Sequence, residues 1–154
     1  MDILDFFCSS ALPYGMRADT APYFSSQVIS AKRFYRRFNP EDTQGIHVVA
    51  AGFERCQPGY SIQRDNFPYL ALEFVSDGSG ELLLDGNAVH LNRGVLFVYG
   101  PGIRHVIDRV ESPGLGKYFI NLTGHQAAAM VGSAGLAAGE TAQIATPGEI
   151  EPLF

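Results

Sequence analysis

His105 stands behind a rigid turn, Gly100-Pro101-Gly102, and eleven residues after Gly94, in the pattern Gly94-x6-Pro101-Gly102-x2-His105. An imidazole fixed at the end of such a turn can ligate a metal, move a proton, or donate and accept hydrogen bonds. Metal binding needs several convergent ligands, and the other histidines, His47, His90 and His125, fall in separate segments. Other side chains carry usable chemistry too. Arg64 offers a guanidinium, and Tyr99 and Tyr118 offer hydroxyls on flat rings. Glu73 is a carboxyl set among apolar neighbours in Leu70-Ala71-Leu72-Glu73-Phe74-Val75. Fixed donors and acceptors beside aromatic surface are what recognition of a small polyol requires.

The elements that must position these groups read as short strands. Asp77-Gly78-Ser79-Gly80 is a turn, and Asp85-Gly86-Asn87 lies between Leu82-Leu83-Leu84 and Val89-His90-Leu91. Asp-Gly supplies the positive φ angles of a tight hairpin, so a hairpin is expected there, followed by a strand over Val95–Tyr99. Upstream, Ile46–Phe53 is apolar on both faces, as a buried strand is, and Tyr60–Arg64 is a short alternating strand. In residues 69–75, alternation sets Leu70, Leu72 and Phe74 against Tyr69, Ala71, Glu73 and Val75. Downstream come a strand over 106–110, a turn over 112–116 and a last strand, Lys117–Leu122, with Tyr118, Ile120 and Leu122 on one face. Residues 28–38 lean towards an extended segment, ended by a turn at Asn39-Pro40. From Gly124 the residues are small, with a short helix at Ala127–Val131. This is the grammar of a small antiparallel barrel or sandwich. The close on Pro152-Leu153-Phe154 reads as a cut in a longer chain.

At 154 residues the chain suits one domain, and 17 Gly with 9 Pro favour turns over long helices. Its 11 Phe and 7 Tyr supply flat apolar surface for a core or pocket. A net charge of −5 argues against direct nucleic-acid binding, which needs a positive face. The short basic cluster Lys32-Arg33 with Arg36-Arg37 reads as a solvated face. Cys8 and Cys56 make neither a disulfide framework nor a zinc pattern, and Cys56 reads as a small core residue. The acidic N-terminus and the lack of a long apolar run lead to an expectation of a cytoplasmic protein with no membrane partner.

The Gly94 to His105 spacing resembles the second motif of the cupin superfamily. In metal-binding cupins this histidine is one of about four ligands. With Gly78 as the closing glycine of the first motif, that motif's glutamate falls at Ala71 and its histidine pair at about Arg64 and Asn66. The resemblance therefore implies a barrel without metal or other cofactor, Glu73 being the one substitute ligand on offer. Residues 31–124 resemble more narrowly the N-terminal effector-binding domain of AraC-type transcription regulators. The resemblance rests on AKRFYRRFNP, AGFERCQPGYSIQRDNFPYLALEFVSDGSGELLLDG, GVLFVYGPGIRHVI and KYFINLTG.

That resemblance implies an all-β fold, a cupin-like antiparallel double-stranded β-helix (jelly-roll barrel). It would have an N-terminal arm over 1–27, the barrel over 28–123 and the start of a C-terminal helical region over 124–154. The implied role is ligand sensing and not catalysis. A small effector, a sugar or related metabolite, would bind inside the barrel of a homodimer and control a helix-turn-helix DNA-binding domain lying outside this chain. By the resemblance Arg64 takes the place of the family's sugar-binding arginine. Tyr118 and Ile120 line the pocket from the last strand, Ile120 standing where an aromatic would stack on a sugar, and His105 to Ile107 follow the turn. If Ala71 points inward, Glu73 does too.

The expected ligand-binding residues are thus Arg64, Glu73, Tyr99, His105, Tyr118 and Ile120. Plainer roles stand beside these: a buried Arg64–Glu73 salt bridge, a satisfied His105 at a strand start, Tyr118 in the core with its hydroxyl at the rim, and Tyr99 as packing. The alternatives at the level of the whole chain are two. One is a cupin enzyme, an isomerase or oxygenase, metal-dependent or using Glu73 and His105 as acid and base. The other is a barrel filled by its own side chains that serves dimerisation.

Overall fold

The computed structural model describes residues 23–36 and 44–154. Most of the expected arm, Cys8 and the expected turn at Asn39-Pro40 lie outside the described residues. In chain order the strands are β1 (Val28–Tyr35), β2 (His47–Cys56), β3 (Ile62–Arg64), β4 (Leu70–Asp77), β5 (Gly80–Leu84), β6 (Asn87–Leu91), β7 (Val95–Tyr99), β8 (His105–Asp108), β9 (Leu115–Thr123) and β10 (Thr141–Gln143). They form a six-stranded sheet, β1-β2-β9-β4-β7-β10, facing a four-stranded sheet, β3-β8-β5-β6.

The pairings within both sheets are antiparallel. The hairpin expected at Asp85-Gly86 joins β5 to β6, with φ of 47° at Asp85 and 83° at Gly86. Positive φ at both central residues gives the turn a twist that matches the strands. Gly78, at φ 89°, serves a second purpose: a side chain there would run into the carbonyl of Gly114. The loops 77–80 and 112–116 pack together only because that position is bare.

The core lies between the sheets, where Phe67, Leu82, Leu91, Phe97, Ile107 and Leu115 are buried. Each such side chain contributes about 1.5–3 kcal/mol by leaving water. A second apolar layer covers the other side of the six-stranded sheet. There Leu70, Val98 and Leu122 pack under Ala127 and Val131 of α1 (Ala127–Ser133). The region after Gly124 is not wholly helical, since Thr141 in β10 pairs with Phe97 and extends the sheet. α2 (Pro147–Ile150) and a 3₁₀ turn over Glu151–Leu153 follow. They bring Phe154 onto Phe74 and Tyr118, at ring-centroid distances of 5.8 and 5.4 Å.

Register decides which side chains reach the interior. Across β4 and β9, Glu73 sits opposite Phe119, Phe74 opposite Tyr118 and Leu72 opposite Ile120. Directly opposed residues share a face. Lys117, Phe119 and Asn121 therefore point inward with Glu73, while Tyr118, Ile120 and Leu122 point outward with Phe74. No helix among the described residues is long and apolar enough to cross a membrane.

Candidate functional site

A chain of ionisable side chains crosses the barrel interior, each member supplied by a different strand. Arg33 on β1 donates from Nε to Glu54 Oε1 on β2 at 2.9 Å. Lys117 on β9 sets its ammonium 2.9 Å from Glu54 Oε2 and 2.9 Å from Glu73 Oε2 on β4. Tyr99 on β7 donates its hydroxyl to Glu73 Oε1 at 2.6 Å. Arg64 on β3 donates from Nη1 to the Tyr99 oxygen at 3.3 Å. Glu54, Glu73, Tyr99 and Lys117 are all buried.

The electrostatics of the chain are set by mutual pairing. Burial pushes the Glu73 carboxyl up, but the Lys117 charge and the hydrogen bonds from Tyr99 and Lys117 outweigh it and hold the group below the usual carboxylate range. Burial pulls Lys117 down, and Glu73 with Glu54 more than restores it, so it titrates well above an ordinary lysine. Tyr99 is pushed up by burial and by the adjacent Glu73 charge. The Lys117–Glu73 pair is therefore ionised at neutral pH.

His105 on β8 is fully buried, and neither ring nitrogen has a hydrogen-bond partner among the described residues. Its ring lies against Tyr99, with centroids 3.8 Å apart. Burial lowers its pKa to about 4, aided by Arg64 and Lys117 and opposed by Glu73. It is a neutral imidazole.

Next to this chain is a cavity of about 20 Å³, lined by Glu54, Tyr60, Arg64, Glu73, Lys117 and Asn121 among others. That is room for about one water molecule. Its wall also includes the segment Tyr23-Phe24-Ser25, which narrows the opening with aromatic edges. Tyr23 meets Phe67 at 5.5 Å, and Phe24 meets Phe119 at 5.9 Å. The Tyr23 hydroxyl is buried and has no partner among the described residues.

The expected site residues divide. Arg64, Glu73, Tyr99 and His105 converge on the interior. The expectation that Tyr118 and Ile120 line the pocket is corrected: both lie on the outer face, where Tyr118 packs on Phe53 at 4.9 Å and Ile120 joins the layer under α1. Their apolar alternation marks a second covered surface and not the inside of the barrel. The Arg64–Glu73 salt bridge does not form, because Lys117 is the counter-ion of Glu73. Arg33 does not belong to a solvated face: its side chain is 8% exposed and ion-paired. Reading the sequence missed Lys117, Glu54 and Asn121. The usable signal was a charge embedded in an apolar strand, Lys117 before Tyr-Phe-Ile and Glu54 after Ala-Ala-Gly-Phe.

The two-sheet barrel with His105 facing its interior is a cupin-type β-barrel. Many cupins hold a metal at this histidine, and the residues here do not fit one. No three His, Cys, Asp or Glu side chains converge among the described residues. Position 71, where the family's glutamate would stand, is alanine, and the carboxylate that is present, Glu73, already faces an ammonium.

No family model matches the chain. No curated protein matches it either. Solved structures that it resembles include the cupin domain of Schizosaccharomyces pombe Cnp3, at 12% identity over 74% of this chain and 80% of that one, with a TM-score of 0.46. Another is a predicted oxalate decarboxylase from Thermotoga maritima, at 14% identity over 64% of this chain and 96% of that one, with a TM-score of 0.45. A third is salicylate 1,2-dioxygenase from Pseudoaminobacter salicylatoxidans, at 15% identity over 73% of this chain and 28% of that one, with a TM-score of 0.44. These similarities correct the expectation of a non-enzyme, since proteins named as enzymes are among them. One barrel serves binding and catalysis alike, so fold gives no ground for excluding catalysis.

Proposed function

We propose that the barrel is a receptor for a small polar molecule, bound where Arg64, Glu73, Lys117 and Tyr99 meet, in the manner of the effector-sensing domain of an AraC-type regulator. The observation that carries this reading is a polar cavity at the barrel centre with one wall made of a separate chain segment. Pure packing does not explain it. Buried ion pairs are replaced by well-packed apolar residues at little or no loss of stability, yet this interior keeps five charged side chains in contact. The order of the segments in residues 31–124 supports the regulator aspect. In that role the effector moves an attached DNA-binding domain only by its differential affinity for two states of the barrel.

The test is thermal unfolding of the chain against sugars, sugar acids and small carboxylic acids, with NMR of each stabilising compound before and after incubation. A true effector raises the melting point as its concentration rises, by about 2.7 kcal/mol of stability at a hundred times Kd. Arg64→Met is expected to abolish the rise. A panel that includes the cell's own small-metabolite pool and gives no rise would sink the receptor reading. NMR shows whether the bound compound is returned unchanged or converted.

A further inference from the structure

We infer that the ligand of this barrel carries a carboxylate, and that the carboxylate competes with the backbone of Tyr23 and Ser25 for the guanidinium groups of Arg64 and Arg33. The inference rests on the receptor reading above and adds the chemical class and the way in. Arg33 donates from Nη2 to the Ser25 carbonyl at 3.1 Å, and Arg64 donates from Nη2 to the Tyr23 carbonyl. The two carbonyl oxygens are two residues apart and are held by arginines from strands at opposite ends of the site, β1 and β3. They occupy donors of Arg64, which lines the cavity, and of Arg33, which pairs with the cavity-lining Glu54. The same arginines lie over aromatic rings, Arg33 4.6 Å from the centroid of Phe24 and Arg64 4.9 Å from that of Phe67. This fixes the guanidinium planes.

Charge and strength favour an acid over a neutral polyol. Three cations, Arg33, Arg64 and Lys117, adjoin two carboxylates, Glu54 and Glu73. Among the described residues one positive charge is left to be met by neutral carbonyl dipoles. A hydrogen bond from a guanidinium to a carboxylate is roughly twice as strong as one between neutral groups, and arginine matches both carboxylate oxygens at once. A ligand carboxylate therefore makes better use of Arg33 and Arg64 than the strap does, and balances the surplus. The cavity of about 20 Å³ is too small for any such ligand, so binding requires residues 23–25, which line it, to lift. The buried, unpartnered hydroxyl of Tyr23 lowers the cost of lifting, since it recovers hydrogen bonds in water.

The experiment pairs acids with neutral compounds of similar shape, lactate with propane-1,2-diol and gluconate with sorbitol. Binding is measured calorimetrically on the unmodified chain and on a Tyr23→Ala, Phe24→Ala variant, at constant ionic strength set with chloride. The expected result is saturable binding of an acid and none of its neutral partner. The strap variant should bind at least tenfold tighter, and Arg64→Met at least tenfold weaker, than the unmodified chain. Binding of the neutral compounds but not the acids overturns the carboxylate assignment and leaves the receptor reading standing. Absence of both from a strap variant that melts cooperatively overturns the inference, while the metabolite panel still judges the receptor reading separately. Should the strap variant fail to fold, amide exchange on the unmodified chain decides. Lactate at 100-millimolar order must speed exchange at residues 25–27 relative to chloride, and no change overturns the competition.

Discussion

The two faces of the six-stranded sheet are both covered over its central strands β9, β4 and β7, and they are buried there for different purposes. The outer face carries Leu70, Leu72, Val98, Ile120 and Leu122 against α1 and Leu136, an ordinary apolar layer. The inner face places Glu54, Glu73, Lys117 and Asn121 out of water at the same depth. Apolar burial stabilises without orientation. Buried ions stabilise only if each partner is in place, because the desolvation of each ion is met by its neighbours alone. The outer face should therefore tolerate change gradually, and the inner face should fail when one member is lost.

Lys117→Met tests the sharpest form of that contrast. It leaves Glu54 and Glu73 facing each other with a single remaining counter-ion, Arg33 on Glu54. The expected loss is about 3–5 kcal/mol, read as a fall in the urea midpoint with an unchanged slope. Adding Glu73→Gln to the variant should recover part of it, since one uncompensated charge then disappears. A single Lys117→Met costing under about 1 kcal/mol would mean that water reaches the triad and that the interior is not a dry site.

The same contrast explains what could be read from the sequence. Strand positions were legible because turn chemistry marks them: Asp85-Gly86 makes its hairpin, and Pro101-Gly102 precedes His105 at the start of β8. The inward direction of Glu73 was legible because alternation ties it to Ala71, which the resemblance sets inward. β9 defeated the same reasoning. The resemblance set Tyr118 and Ile120 in the pocket, and alternation did not correct it, because Tyr118, Ile120 and Leu122 form the more apolar set, which is ordinarily taken for the core. That rule assumes one wet face. Here α1 and Phe154 cover the other face, so the apolar set lies outside and the polar set, Lys117 and Asn121, marks the cavity. Arg33 was lost for a related reason: Lys32, Arg33 and Arg36 look alike in sequence, and only the pairing of Arg33 with Gly52 across β1–β2 turns one of them towards Glu54.

A smaller effect separates the faces by pH. His105 titrates at about 4 in the fold against 6.5 when unperturbed, because burial disfavours its charged form. The unfolded chain therefore binds the proton first, and stability falls as pH drops from about 6.5 towards 4 and levels below that. A gap of this size corresponds to about 3 kcal/mol. Urea unfolding at half-unit pH steps should show the decline, and His105→Gln should flatten it between pH 6.5 and 4.5. Below about 4.5 protonation of Glu73, itself held low, adds its own loss in both proteins. A decline that survives His105→Gln would place the pH sensitivity outside the inner face.

The smallest expected effect belongs to the outer face and tests whether the two layers act independently. Phe154 stacks on Phe74 and on Tyr118 while remaining 46% exposed. Phe154→Ala removes half-buried surface and two ring contacts, so about 1 kcal/mol of stability is expected to go, a few degrees in the melting point. Among the described residues the ring contacts of Phe154 are with Phe74 and Tyr118, whose backbone neighbours on β4 and β9 include Glu73 and Lys117. Effects of sites that share no partner add to within a few tenths of a kcal/mol. The double variant Phe154→Ala, Lys117→Met should thus lose the sum of its parts, and Phe154→Ala alone should leave ligand affinity unchanged. Coupling above about 1 kcal/mol would mean that β4 and β9 shift as the outer layer is removed. The C-terminal segment would then control the geometry of the cavity.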